Sequence, residues 1–498
     1  MHVRYTLAIS LLLFSAAVNA QKVVNDVIDQ ANISLRGGVK EVGKVTLSAP
    51  GPGKVIVRFD GVCYSSPGDR VMLAASNTLG WGMNDGCVEV ESVSDEINSN
   101  TFSHTRAYDV IAGDHNFYAV AENIFETDGS GIASIYGHLT AEWYPEEPGK
   151  PFARHIGFFS ENIPVEGGPV PFNVLTVNAP EAGKVLVRFD GKCVSSYGDL
   201  MYFAASNNLA WTNYEGSTSN EVIDNDLNRF SFSHARVYDV PPGNHSYYAI
   251  AENFFETYGN GFASIYGSLT AIYYPNSSAA KVTSIPVSTP FGVNIEGPVV
   301  NMAQSTVNAP VAGKMVVNLA GTGLGSFGDK IRIGVANTQI WEPLDGSITF
   351  RPYSSDLNRT SFSHTRVYDV APGNHTYNAL IQNIEHFEGS GLAVVYANMN
   401  IEFFTDGSVT TAEPMMLQSI LVSPNPATDF VQVEIPDLIA EEAQFQMFDQ
   451  AGRLIHVLHK SASEPLQHIR WDLSTLPGGL YFIQVKHDSG TIVRKLVK

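Results

Sequence analysis

The sequence predicts an all-β protein, with three tandem jelly-roll-like β-sandwiches followed by a smaller Ig-like β-sandwich. Three observations carry that expectation. A block of 130 residues recurs three times, as in "GKVIVRFDG" at Gly53, "GKVLVRFDG" at Gly183 and "GKMVVNLAG" at Gly313. Within each block apolar and polar residues alternate with period two, the signature of strands rather than helices. Gly-rich turns such as Pro67-Gly68-Asp69 and Asp128-Gly129-Ser130-Gly131 separate the runs, and no stretch shows a helical period with caps.

Composition narrows the class of function. The chain of 498 residues is 44% hydrophobic, so it can bury several cores, yet only 16% of residues are charged. Net charge is −20 with no basic cluster, which argues against nucleic acid as a partner. No internal run approaches the roughly 20 apolar residues of a spanning helix.

In chain order, residues 1–20 read as a secretory signal: Arg4 is followed by an apolar run from Leu7 to Val18, then Val18-Asn19-Ala20 as a cleavage site. The repeats then occupy 21–150, 151–280 and 281–410. "FSHTRAYDV" at Phe102, "FSHARVYDV" at Phe232 and "FSHTRVYDV" at Phe362 keep the same spacing, as do Trp81, Trp211 and Trp341. A period this long exceeds a solenoid repeat, so each block is expected to fold as a domain, and residues 151–280 to fold alone. In the closing strand of the first block Ala133, Ile135, Leu139 and Trp143 share one face, and Ser134, Tyr136, His138, Thr140, Glu142 and Tyr144 the other. One buried face is expected there. The tryptophans are expected to fill the ends of the cores, and the glycines before the closing strands to need positive φ. Asn77, Asn207 and Asn337 are expected to bond the backbone of a turn. Residues 411–416 read as a linker, and 417–498 as the terminal sandwich.

No motif for a nucleophile elbow, a zinc protease, a phosphate loop or a dinucleotide fold occurs, and an enzyme is not expected. The strongest candidate for a ligand site is a repeated strand face: His104, Arg106 and Tyr108, then His234, Arg236 and Tyr238, then His364, Arg366 and Tyr368. An aromatic ring with Arg and His beside it suits a sugar; the same residues could equally form a polar rung inside each fold. His115, His245 and His375, and the pairs Glu122-Asn123, Glu252-Asn253 and Gln382-Asn383, follow in the next turn and strand. No cofactor or metal ligand set is expected; a Ca²⁺ ion on the turn from Glu126 to Gly131 is the one possibility left open, since that turn falls short of an EF-hand loop. Of three cysteines, Cys63 and Cys193 occupy equivalent positions, so a Cys63–Cys87 disulfide with Cys193 unpaired is expected, against three half-buried thiols.

Two resemblances follow. The succession of a "GxxVxFxG" strand, a "GDxVxLA" strand, a "YDVxPGxHxYYA" hairpin and a closing strand ending Tyr144-Pro145 or Tyr274-Pro275 resembles bacterial jelly-roll modules of tumour-necrosis-factor-like look, which implies binding or assembly. The third block departs from it, ending Phe403-Phe404 without the proline. The terminal domain resembles the type A sorting domain of the type IX secretion system of Bacteroidota. Its "SPNPATD" turn (Pro424, Asn425, Pro426), "FDQAGRLI" hairpin (Asp449, Gly452, Arg453), "LPGGLYFIQV" segment (Gly479, Tyr481) and terminal "KLVK" (Lys495, Lys498) carry that likeness. It implies the type IX machinery as partner and a secreted or cell-surface protein. The functional expectation is a non-enzymatic protein whose modules serve adhesion or bind extracellular glycans or surface proteins. The alternative is a structural spacer closed into an intramolecular pseudo-trimer, and, behind both, an enzyme with an unrecognised site.

Overall fold

The computed structural model describes residues 23–81, 86–92, 99–126, 129–147, 149–211, 216–222, 229–256, 261–289, 292–341, 347–352, 359–386, 391–405, 421–434, 443–449, 453–460, 468–487 and 490–498. The signal segment and the 411–416 linker lie outside them. The described residues fall into two compact units, one within Asn19–Gly407 and one within Ser408–Lys498.

Each repeat contributes eight antiparallel strands in two sheets. In the first these are β1 (Val23–Ser34), β2 (Lys40–Ala49), β3 (Gly53–Ser65), β4 (Asp69–Ser76), β5 (Val88–Glu91), β6 (Ser99–Val110), β7 (Gly113–Glu126) and β8 (Ile132–Pro145). The orders are β1-β8-β3-β6 and β2-β7-β4-β5. Apart from the β4–β5 pair, sequence neighbours thus lie in different sheets, the double Greek key of a jelly roll. The second repeat repeats both orders; the third does so with its first strand split into Lys281–Ser288 and Val293–Asn294. Period-two patterning places one face of every strand between the sheets, around Phe59, Leu139 and Trp143 in the first repeat, Phe189, Phe203 and Phe232 in the second, and Leu319, Met399 and Phe403 in the third. Gly131, Gly261 and Gly391, ahead of the closing strands, have φ of 67°, 67° and 65°, as expected of left-handed turn positions.

The sheet that holds β3 is buried on its second face too. His138, Thr140, Glu142 and Tyr144 are each 2% exposed or less, which corrects the expectation of a single buried face on the closing strand. What covers it is the other two repeats. Ile56 and Tyr144 of the first repeat, Leu186, Ile272 and Tyr274 of the second, and Val316, Ala320 and Phe404 of the third form one apolar cluster. The repeats are sandwiches with cores of their own that share a further interior.

The closure runs one way round. Strand β5 docks on the second repeat, its counterpart Thr218–Glu221 docks on the third, and Ile348–Phe350 docks on the first. A head-to-tail contact that returns to its start after three steps gives a closed ring with pseudo-threefold symmetry.

The terminal unit is a smaller sandwich. Leu421–Ser423, Phe430–Glu434 and His468–Asp472 form one sheet; Leu454–Lys460, Ala443–Asp449, Leu480–His487 and Gly490–Val497 form the other. Its core holds Val431, Phe445, Met447, Ile483 and Leu496.

Candidate functional site

The expected strip lies inside the fold. His104, His234 and His364 are 3%, 1% and 1% exposed. In each, Nδ1 accepts the backbone N–H of Ala75, Ala205 or Val335 at 3.0 Å, tying the two sheets together. The Tyr108, Tyr238 and Tyr368 hydroxyls donate to the carbonyls of those same residues, at 3.3, 2.8 and 3.4 Å. Arg236 and Arg366 lie over the rings of Tyr238 and Tyr368, and Arg106 is half-buried. Alternation put these residues on one face, but that face turns toward the opposite sheet. The three strips are sheet-to-sheet clamps, not an open sugar platform.

Other expectations shift likewise. His115, His245 and His375 place Nε2 at 2.7–2.8 Å from a carbonyl four residues back, closing their own turns. Ser76 and Ser206, rather than Asn77 and Asn207, bond the turn that follows, through the N–H of Thr78 and Asn208. None of the cysteines is in a disulfide. Cys63 points into the first core and Cys87 into a cluster on the outer face of the second sheet; a bridge between the two would have to cross that sheet, which corrects the expected pairing. Burial raises the thiol pKa of Cys63 and Cys193. Among the described residues no cluster of metal-ligating side chains occurs, and part of the Glu126–Gly131 turn lies outside them.

Sequence reasoning passed over Asp69, Asp199 and Asp329. Each is 1% exposed or less and accepts the side-chain amide of Asn123, Asn253 or Asn383 at 2.6–2.7 Å. Each Asn also accepts the N–H of residue 70, 200 or 330 at 3.1 Å. This holds a β-bulge in the seventh strand, where Ile124, Phe254 and Ile384 have no cross-strand partner. Their side chains turn to solvent, at 42%, 59% and 41% exposure. Bulges re-aim side chains, and here all three re-aim an apolar one. The signal was legible as Glu/Gln-Asn-apolar at a 130-residue spacing.

The expected tryptophans sit on that outer face rather than in the cores. Trp211 lies nearly parallel to Tyr202, with centroids 6.1 Å apart, and Phe254 is 5.4 Å from Tyr202. Trp341 carries the Arg332 guanidinium 4.5 Å above it and donates to Gln382 at 3.0 Å. Trp81 packs with Met72 and Tyr118.

The ring interior carries charge. Arg58 pairs with Glu142 at 3.1 Å; Arg188 pairs with Glu402 and donates to Asn318 at 3.1 Å. The Tyr144 hydroxyl donates to Glu142 at 2.8 Å, and Tyr274 to Glu402. Asp190 accepts from Thr105 at 2.8 Å and Ser103 at 3.3 Å; Asp60 accepts from Ser363 at 3.1 Å and from Thr365. Burial, then repulsion from Glu402, pushes Glu142 up to about 7 against the pull of Arg58 and Arg188. The residues pair with one another in a single buried network that spans the repeats.

In the terminal unit the sorting motifs meet at one end. Val497 N–H donates to Asn425 Oδ1 at 3.0 Å and Ala427 N–H to Val497 O at 2.7 Å, which ties the Pro424–Pro426 turn to the chain end. Gly479 and Lys498 exchange two backbone hydrogen bonds of 2.9 Å. Lys498 Nζ donates to the carbonyls of Leu473 and Leu476, and Tyr481 donates to Pro477 O at 2.7 Å. Asp449 and Arg453 close the hairpin through an ion pair of 3.0 Å; Gly452 and the Lys495 side chain lie outside the described part.

Residues 421–498 match the family model of the secretion system C-terminal sorting domain. The chain is therefore a secreted or cell-surface protein that engages type IX secretion. No curated protein matches it. Among solved structures, PNGase F, a glycosylasparaginase from Flavobacterium meningosepticum, aligns at 11% identity over 51% of this chain and 96% of its own, with a TM-score of 0.25. A triple jelly-roll protein of an archaeal virus aligns at 8% identity over 78% of this chain and 91% of its own, at 0.19. An infectious bursal disease virus structure, Gt strain, aligns at 9% over 81% and 84%, at 0.17. Scores this low carry no argument, and the jelly-roll assignment rests on strand order.

Proposed function

We propose that the three repeats form one non-enzymatic body, exported by its terminal domain and used outside the cell for adhesion or glycan binding through its outward sheets. The observation that carries this is the closed ring. The inner sheets are spent on mutual packing around Tyr144, Tyr274 and Phe404, so only the outer sheets and the rims are left to meet a partner. The interior carboxylates Glu142 and Glu402 are buried and paired with Arg58 and Arg188, an arrangement that suits assembly better than turnover. A spacer without any ligand is the second reading; the absorption of all three His-Arg-Tyr strips into the sandwiches favours it. The test uses the full chain purified after export. Binding to a glycan array, or attachment of producing cells to a coated surface that a deletion strain loses, supports the adhesive reading. A chain that binds nothing and whose loss leaves attachment unchanged assigns it to the spacer.

A further inference from the structure

We propose that the second repeat carries a binding site for a neutral glycan on its outer sheet, built from Tyr202, Trp211 and Phe254 with Glu252 beside them. The proposal rests on the adhesive reading and makes it specific. A sugar ring has an apolar face of C–H groups and an edge of hydroxyls. Its recognition needs a flat aromatic surface in water and a fixed acceptor at the edge.

Both are present. Tyr202 and Trp211 stack within 12° of parallel with centroids 6.1 Å apart, an aromatic wall beside the exposed ring of Phe254. Phe254 stands beside Tyr202 at 5.4 Å and is 59% exposed, held out by the bulge that Asn253 and Asp199 lock. Keeping so much of a phenyl ring in water forgoes burial that a fold otherwise seeks, and the lock maintains it. Glu252 is the cross-strand partner of Tyr202 and therefore shares its face. Its carboxylate accepts from hydroxyls. From the next repeat Arg359 donates to the Tyr202 hydroxyl, which fixes the ring and places the site at the junction of two repeats.

Charge selects the ligand class. Glu252 and the Arg359 guanidinium over Tyr202 bring one charge of each sign to the site, on a chain of net charge −20; that balance favours a neutral glycan over uronic acid or sulfated polymers. The equivalent places differ. Only the second repeat presents an aromatic ring at the bulge, the first and third presenting Ile124 and Ile384, and in the third Arg332 stands where Tyr202 does. In the first, Met72 stands where Tyr202 does. One site per chain is expected, not three.

The experiment runs the full secreted chain through native gels containing β-1,3-glucan, β-1,4-xylan or α-mannan, with polygalacturonate as the anionic comparison. Retardation by at least one neutral polymer is expected, reduced tenfold or more in apparent affinity by Trp211→Ala and by Phe254→Ser. Ile124→Ser and Ile384→Ser should leave it within twofold. Thermal melts run alongside, and Phe254→Leu, which keeps an apolar side chain at the bulge but removes the ring, should lower binding as Phe254→Ser does, so the loss is read apart from any change in stability. Retardation that survives Trp211→Ala and Phe254→Ser overturns the site while leaving the adhesive reading. Retardation only by polygalacturonate overturns the ligand class. No retardation by any polymer overturns the glycan site, and the cell-attachment comparison then decides the adhesive reading separately.

Discussion

The ring interfaces contain a matched pair of substitutions that predicts a measurable coupling. Where the sixth strand presents a threonine to the interior, the facing repeat presents an aspartate: Thr105 meets Asp190, and Thr365 meets Asp60. Where it presents Ala235, the counterpart of the aspartate is Ala320, and both lie in the apolar cluster. Thr105→Ala removes a 2.8 Å bond to a buried carboxylate, and hydrogen bonds to charged groups contribute about 1.5–3 kcal/mol. Asp190→Ala strands the Thr105, Ser103 and Ser233 hydroxyls, at about 1–3 kcal/mol for buried polar groups left unpaired. The double variant reproduces the junction that Ala235 and Ala320 already make, so its cost should fall short of the sum by about 1.5 kcal/mol. The assay is guanidinium unfolding of the full chain, followed by tryptophan emission. Additivity within about 0.5 kcal/mol would refute a direct Thr105–Asp190 contact across repeats.

Four further outcomes are expected. Residues 151–280 expressed alone should keep their own core but expose Leu186, Ile272 and Tyr274; size-exclusion chromatography should show association, and a stable monomer melting like the full ring would contradict the shared interior. His155 is pulled down to about 3, first by burial and then by Arg106, Lys54 and His104. The unfolded chain then takes its proton first, so stability should fall as pH drops from about 6.5 toward 3, and His155→Gln should remove that loss in urea midpoints measured across the range. Glu142, raised to about 7, has the opposite sign: its contribution is fully present below about 4.5 and lost as pH rises through 7, and Glu142→Gln should flatten that arm. All three thiols are buried, so Ellman's reagent should detect none in the native chain and three in guanidinium.

What could be read from the sequence followed from period two and period 130. The strands, the jelly-roll class and the sorting domain are local patterns, and local patterns survive in a linear text. The strip around His234 shows the limit. Alternation states that His234, Arg236 and Tyr238 share a face, but not whether that face looks to solvent or to a second sheet. That depends on which strand pairs with which, a non-local fact. The closing strand makes the same point: Glu142 and Tyr144 read as an outward polar face, and they are outward from their own sandwich, yet 2% and 0% exposed because two other sandwiches stand there. The exposed Phe254 was missed because a bulge breaks the alternation by which exposure was judged.

The ring also explains why its three junctions are not copies of each other. At the first, Glu89 takes Lys192 at 3.0 Å and Arg229 at 3.2 Å, an ionic contact. At the second, the residues in the places of Glu89 and Lys192 are Ser219 and Thr322, joined by a 2.6 Å bond from Ser219 N–H, and Arg359, in the place of Arg229, reaches Glu221 instead at 3.9 Å. At the third, they are Thr349 and Val62; Val62 sits in the core cluster of the third repeat, and the Tyr64 and Thr349 hydroxyls pair. Three identical junctions would let a repeat from one chain take the place of a non-equivalent repeat in another, giving out-of-order oligomers of the same local energy. Ionic, hydroxyl and apolar contacts do not interchange: putting Val62 opposite Glu89 would take the Lys192 partner from a buried carboxylate and leave it more weakly paired. The divergence therefore selects the order first, second, third within a single chain. Exchanging Glu89 and Lys192 for the Thr349 and Val62 pair would make two junctions alike. It should yield concentration-dependent dimers by light scattering, whereas the parent chain stays monomeric; a monomeric variant would show that chain connectivity alone, and not junction chemistry, keeps the ring closed.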